Sequence, residues 1–416
     1  MSLIDIVAPP MRGHLHPALG IGRALAEEHD VRVFSTAGAQ ADIAAAGLTG
    51  IAILDGGDAR IDAITSPEEP INGNPRKLIE EFRASLAIQA DFQRELRAAW
   101  QSRRPDLVIA DYVIPSVGPA AQALGIPWWT GHSSPCVIEG RLGPPAYVGG
   151  WSPGEGTLGR LRDAAARRGV RAFKRTAFLV ARRRLRELGF TAPYRADGSE
   201  AAYSPDVILA QMPAGFEFER SVPESVVWVG PLLYTPPTDA PQPPFVEGRR
   251  HVLVTAGTHL AWHKLQLVAA AEATARRLPD LEVHVSLGRT DAAPVASELP
   301  NLAVLPYVSY ARDLARYDLV AHHGGSGVLN QTLAAGLPSV VTPVDYDQFD
   351  HAARMEAAGL AVRADRLDNL PTAIEEALGR PELAAAAQVY ADRIAAAPAA
   401  ETIATLVRGR LAVASR

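Results

Sequence analysis

Short apolar runs separated by helical patterns recur through the first half of the chain and again through the second, and this alternation demands a parallel sheet covered by helices. In the first half the runs fall at 3–8, 31–35, 51–54, 107–110, 126–130, 207–210 and 226–229. Helical patterns separate them, notably at 17–28 and 75–102. In the second half the runs fall at 251–256, 281–287, 302–305, 319–321 and 339–342, with a helix from about 261. Between the halves, Pro236, Pro237, Pro241, Pro243 and Pro244 leave room for neither a helix nor a central strand. The expected fold class is therefore α/β, with two doubly wound, Rossmann-like domains facing across a cleft. Residues 1–233 form the first, 234–250 a stiff proline-rich linker, and 251–385 the second. An Ala-rich tail, 383–413, should be helical by propensity, and 386–416 are expected to pack back on the first domain. Ligands in such sheets sit beyond the carboxyl ends of the strands.

Apolar residues make up 48% of the 416 residues and charged residues 21%, the balance of a soluble globular protein. A net charge of −5 argues against nucleic acid as the partner. Cys136, the single cysteine, excludes an internal disulfide and fits a reducing compartment. No CxxC or HExxH pattern points to a metal. No basic leader precedes an apolar segment, and no apolar run reaches the roughly 20 residues that span a bilayer. The expected address is cytoplasmic.

Residues 318–336, DLVAHHGGSGVLNQTLAAG, combine a buried strand, a glycine turn and a helix expected from about Val328. Unpaired backbone N–H groups and the helix dipole converge at such a turn, making an anion site. It comprises Gly324, Gly325, Ser326 and Gly327, with His323 at its lip. Thr258 follows the first strand of the same half and reads as a second phosphate-facing turn or as an ordinary helix cap. Asp347 and Gln348 follow the run at 339–342; they suit sugar hydroxyls or the start of a helix. Asp345 and Asp347 resemble a DxD metal pair, yet two carboxylates alone make a poor magnesium site. In the first half, Gly13 and His14 follow the first strand and Asp111 follows the run at 107–110, on the same sheet edge. A carboxylate beside an imidazole fixes its tautomer and stabilises the imidazolium, as a general base requires. Each residue alone could equally be a polar loop residue or a cap.

Taken as a block, these residues resemble the bacterial family 1 glycosyltransferases of the GT-B fold, which decorate macrolides, enediynes and polyketides. The resemblance covers GHLHPALGIGRALAEEHDVRVFST near the start, PDLVIAD at 105–111, VLVTAGT at 252–258 and the long segment 305–348. It implies an acceptor-binding first domain and a nucleotide-sugar-binding second. It assigns His14 as the base that deprotonates the acceptor, with Asp111 as its partner and Gly13 beside the donor. Tyr307 would stack on the nucleobase and Val308 read its edge through the backbone. His323 and the turn 324–327 would hold the diphosphate with Thr258, and Asp347 and Gln348 would face the sugar. The implied reaction inverts the anomeric carbon without a metal, a covalent intermediate or a bound cofactor.

Departures from the family pattern carry information of their own. Val328 replaces a Thr or Ser, Ser309-Tyr310 replaces Pro-Gln, and His351 replaces Asn. Gln331 stands where users of UDP-sugars often carry a Glu that accepts both ribose hydroxyls. Gln has one acceptor oxygen, which favours a dTDP-sugar donor over a UDP-sugar. The partner expected on the other side is a small hydrophobic natural product, held by segments around 56–92 and 135–189, with Trp128, Trp129, Trp151 and Phe82 as lining or core. Residues 160–186 are conspicuously basic and read as a solvated helix face, a dock for an anionic partner, or a membrane-surface helix. A lipid acceptor, a non-catalytic activator and a homodimer remain alternatives.

Overall fold

The computed structural model describes residues 1–65, 75–258, 261–289 and 297–414. Each apolar run becomes a strand, and every strand pairing is parallel. The first sheet holds β1 (Leu3–Val7), β2 (Asp30–Ser35), β3 (Thr49–Ala52), β4 (Leu107–Asp111), β5 (Trp128–His132), β6 (Ile208–Ala210) and β7 (Val226–Trp228), ordered β3-β2-β1-β4-β5-β6-β7. The second holds β8 (Arg250–Thr255), β9 (Leu281–Ser286), β10 (Leu302–Leu305), β11 (Leu319–His322), β12 (Ser339–Val341) and β13 (Ala361–Arg363), ordered β10-β9-β8-β11-β12-β13. β13 escapes a sequence reading, because three residues ending in an arginine carry no periodic signal. In each sheet the winding reverses beside the first strand, between β1 and β4 and between β8 and β11. Chain segments diverge there and leave a crevice.

The strands are buried because helices cover both faces. Ile4, Ile6 and Val33 pack against Leu15, Leu19 and Leu25 of the helix Arg12–Ala26. Ile403 and Val407 of the last helix, Ala399–Ala414, join that same core. The helix before it, Pro381–Ala396, packs instead on the second domain, with Ala387 and Tyr390 against Leu329 and Leu333. Of the two tail helices, only the last joins the core of the first sheet. Pro398 disfavours the helical region for the residue before it, and Ala397 sits at φ −135°, ψ 76°.

A second correction concerns the first helix, which starts at Arg12 and not at Pro17. Pro17 forfeits the bond to the Gly13 carbonyl one turn in, while Leu15, Ala18, Leu19, Ile21 and Leu25 bury the helix against the sheet. His14 consequently belongs to a helical turn, with its N–H bonded to the Met11 carbonyl at 2.9 Å.

One charged pair lies inside the first core. Asp5 on β1 accepts from Arg32 Nε at 2.8 Å and Nη2 at 2.7 Å, and from Trp100 Nε1 at 2.9 Å. Asp5 and Arg32 are register partners on adjacent strands, and both are buried. Burial raises the Asp5 carboxyl above its ordinary value against the pull of Arg32. Asp5→Ala would strand a guanidinium in the core, and chemical denaturation should show a loss of about 3–5 kcal/mol. A loss below ~1 kcal/mol would mean that Arg32 reaches water instead.

Candidate active site

A cavity of about 620 Å³ opens between the carboxyl edges of the two sheets. Gly13 and His14 line it from the first domain, and Thr258, Tyr307, Val308, His323, Gly325, Ser326, Gly327, Gln331, Asp347 and Gln348 from the second. Two of the expected site residues do not line it. Asp111 lies behind His14, and Gly324 lies behind the turn.

His14 and Asp111 are brought into contact by the β1–β4 pairing, which sets Val7 beside Ala110. His14 Nδ1 lies 3.1 and 3.2 Å from the two carboxylate oxygens. Asp111 Oδ1 also accepts the Val113 N–H at 3.0 Å, so its own turn orients it. With Nδ1 facing the carboxylate, Nε2 is the ring nitrogen left for chemistry in the cavity. Burial lowers the His14 pKa, but the Asp111 charge, its hydrogen bond and the Asp347 charge outweigh that and raise it above the ordinary 6.5. A stack of rings supports the pair: Tyr112 lies 5.4 Å from His14 and 3.9 Å, nearly parallel, from His132. His132 is fully buried, and burial pushes its pKa well below the ordinary value, so the ring is neutral.

The glycine turn follows β11, and its helix runs Ser326–Ala334 with Gly325 as the capping residue, two residues earlier than the sequence reading. Glycine is required here for two reasons. Gly324 has φ +90°, and a Cβ on Gly325 would sit 2.4 Å from His323 Nε2. The His323 ring is also close to Gly257, 3.1 Å from a Cβ built there. It therefore lies between the turns after β8 and β11, with the first N–H groups of the helix beside it. Gln331, one turn further on, donates to the Thr235 hydroxyl at 3.2 Å. Leu232, Tyr234 and Thr235 line the cavity, so the start of the linker is a wall and not only a spacer.

A polar cluster crosses between the domains beside Asp347. The Ser134 hydroxyl donates to the Asp347 carboxylate and lies 3.2 Å from His351 Nε2 and 3.3 Å from Cys136 Sγ. His351 Nδ1 donates to the Gly324 carbonyl at 2.8 Å, joining this cluster to the glycine turn. Cys136, Asp347 and His351 place potential ligand atoms within 4.8 Å of one another, and they are the one group among the described residues that could hold a metal ion. Ser134 already occupies their midst. Gln348 Oε1 accepts the N–H groups of Val344 and Asp345 at 2.9 and 3.1 Å, bracing the loop that carries Asp347. Ser134 and Cys136 were not legible as site residues, and His351 only as a departure from a pattern.

The first-domain wall is largely apolar, with Thr65, Ser85 and Gln89 as polar exceptions. Ile61, Ile64, Ile88, Phe92, Ile114 and Tyr112 face the cavity, and Tyr147 enters from the loop before the basic helix. Part of the expected 56–92 segment, 66–74, lies outside the described residues. Trp128 and Trp129 belong to the core clusters on opposite faces of the first sheet. Neither Trp151 nor Phe82 reaches the cavity; they are 38% and 40% exposed.

Comparison with known proteins places this geometry. Residues 251–405 match the model of the glycosyltransferase family 28 C-terminal domain. The elloramycin glycosyltransferase of Streptomyces olivaceus is 28% identical over 96% of this chain and 94% of its own. The solved glycosyltransferase of kitacinnamycin superposes with a TM-score of 0.74 over 99% of both chains at 22% identity. A Streptomyces sp. SF2575 glycosyltransferase complexed with thymidine diphosphate gives 0.65, over 98% of this chain and 100% of its own, at 19% identity. Residues 251–405 thus carry a glycosyltransferase family 28 C-terminal domain, and the whole chain has the two-domain GT-B fold of these glycosyltransferases.

Proposed function

We propose that the chain transfers a sugar from a nucleotide diphosphate, dTDP in preference to UDP, to a hydroxyl of a hydrophobic natural product, with inversion and without a metal. The observation that carries this reading is the His14–Asp111 contact at 3.1 Å on one wall of a cavity whose opposite wall is the His323 glycine turn. Nδ1–H points to Asp111, so Nε2 takes the proton of the acceptor hydroxyl. The oxygen attacks the anomeric carbon on the face opposite the diphosphate. The C–O bond to the diphosphate breaks, and its electron pair leaves with the phosphate oxygen. Single displacement of this kind inverts the centre. The N–H groups at the start of the helix Ser326–Ala334, with His323 and Thr258, hold the departing charge. Asp111 and Asp347 stabilise the imidazolium that forms.

Two observations support the finer choices. The Gln331 amide donates to Thr235, so its single oxygen remains for the ribose, where a carboxylate would offer two. One structural relative was solved with thymidine diphosphate. For the acceptor, the isoleucine-rich wall offers apolar contact and few hydrogen bonds, which suits a polyketide-like ring system. The proposal is tested by incubating the enzyme with dTDP- and UDP-sugars and a panel of such acceptors. NMR of the product should show inverted configuration, and retained configuration would overturn the mechanism.

Single variants and the pH profile test the parts of this mechanism separately. His14→Ala should cut turnover about 10²-fold or more while nucleotide binding survives. In the wild type, activity should rise with pH through a pKa above 6.5, because the base works only when neutral. Asp111→Asn removes the charge that raises that pKa, so the acid limb should move to lower pH while the rate falls. An unmoved limb would take Asp111 out of the pair. His323→Ala and Gly325→Ala should both weaken dTDP binding by calorimetry, the second because its methyl displaces the imidazole. Gln331→Glu should shift preference towards UDP; an unchanged dTDP/UDP ratio would remove Gln331 from donor choice.

A further inference from the structure

The basic segment 160–186 folds into the helices Gly156–Val180 and Arg182–Glu187, and Asp163 is the only residue of the pair that is fully buried. The inner side is anchored: Phe178, Ala181 and Leu185 pack with Leu86, Leu188 and Phe190. Arg171 and Lys174 pair there with Glu139, and Lys174 also with Glu200. The outer side is apolar and faces solvent. Leu158, Leu161, Phe173, Leu179 and Val180 are 83, 58, 72, 65 and 76% exposed. With Ala165, Gly169, Ala172 and Thr176 they recur at three- and four-residue steps, which places them in one stripe about 33 Å long.

A continuous exposed stripe of this kind marks an interaction surface, and its border says what covers it. Arg168 and Arg175 run along one side, and Arg182, Arg183, Arg184 and Arg186 close the C-terminal end. Residues 156–187 hold eleven basic side chains and two acidic ones, in a chain whose net charge is −5. Arg160, Arg168, Arg182 and Arg186 make no ion pair among the described residues. Trp151, with the Arg162 guanidinium 4.8 Å over its ring, stands at the other end. A second copy fits this face poorly, because a two-fold contact would set arginines against arginines. Among the described residues no helix is long and apolar enough to cross a membrane. A flat anionic surface fits: leucine, phenylalanine and valine side chains reach the acyl boundary while arginines meet lipid phosphates.

We propose that this face docks the enzyme on an anionic bilayer surface. The rest of the acidic chain is repelled there, so a single orientation is favoured. Leu185 packs on Leu86, and Arg184 reaches the Arg83 carbonyl at 3.4 Å. Both partners lie on the helix Pro75–Ser102, whose Ser85, Ile88, Gln89 and Phe92 line the cavity. Docking would therefore bring the apolar acceptor wall close to the bilayer, where a hydrophobic acceptor accumulates; this consequence rests on the acceptor reading above.

The test is co-sedimentation of the full chain with vesicles of phosphatidylglycerol and phosphatidylcholine, against vesicles of phosphatidylcholine alone, with neither donor nor acceptor present. Its outcome is thus independent of whether transfer occurs as proposed. The wild type should bind the anionic vesicles and dissociate as salt is raised. Neutralising Arg168, Arg175 and Arg182 together to Gln should weaken partitioning about a hundredfold. Leu161→Ser with Phe173→Ser should also weaken it, with the thermal midpoint unchanged because both side chains already face water. A wild type that stays in the supernatant at low salt overturns the proposal. So does binding indifferent to the apolar pair, or a solution dimer that Phe173→Ser splits without any vesicle binding.

Discussion

The two sheets are held in register by buried polar contacts that cross between them, and the cavity exists only because those contacts agree on a single placement. Glu217, after β6, accepts from Arg354 Nε at 2.5 Å and from Arg220 Nη2 at 2.6 Å, with all three side chains buried or nearly so. Asn330 donates to the Gln211 carbonyl at 3.1 Å, the Tyr147 N–H to Asp350 at 2.9 Å, and the Tyr390 hydroxyl to the Gly215 carbonyl at 2.9 Å. Each such bond contributes about 1 kcal/mol net, since separation would return its groups to water. Their directions matter more than their sum. A sliding of the halves by an ångström or two would leave several of them buried and unmade at once, each costing about 1–3 kcal/mol. That constraint keeps His14 opposite the glycine turn.

Tyr147 illustrates how the seam is built into the backbone. Its φ of +63° is unusual for a residue with a side chain, and Tyr346 on the other wall has φ +55°. Left-handed tyrosines persist where surrounding contacts over-determine them. The Tyr147 N–H is fixed by Asp350 of the second domain, and the same residue lines the cavity. The same residue therefore closes the seam and shapes the site.

What could be read in the sequence was whatever local periodicity and local turns encode. The strands other than β13, the helix Pro75–Ser102 and the glycine turn follow from apolar spacing and from residues a few positions apart. His14 and Asp111 were placed on one edge because each follows its own strand; that they touch follows from β1 and β4 being neighbours, which spacing alone leaves open. The Ser134–Asp347–His351 cluster was out of reach for a stronger reason. Ser134 stands more than 200 positions from both Asp347 and His351, and nothing near it differs from an ordinary turn. Trp128 and Trp129 show a third limit. Successive strand residues point to opposite faces, so the pair divides between two cores, and aromatic character alone could not say that neither reaches the cavity.

The cluster at the seam links the two walls of the cavity electrostatically. Burial would lower the His351 pKa, but Cys136, Asp347 and the Gly324 carbonyl reverse this and raise it well above the ordinary value. The imidazolium then donates from both nitrogens, to the Gly324 carbonyl and to Ser134, whose own hydroxyl donates to Asp347. That chain of donors fixes Asp347 as the final acceptor. Its charge in turn helps to raise the His14 pKa. The shape of the glycine turn, the Asp347 carboxylate and the basicity of His14 are therefore coupled through one serine and one histidine. Under the proposed function, a sugar hydroxyl bonded to Asp347 enters the same network and couples donor binding to the strength of the base.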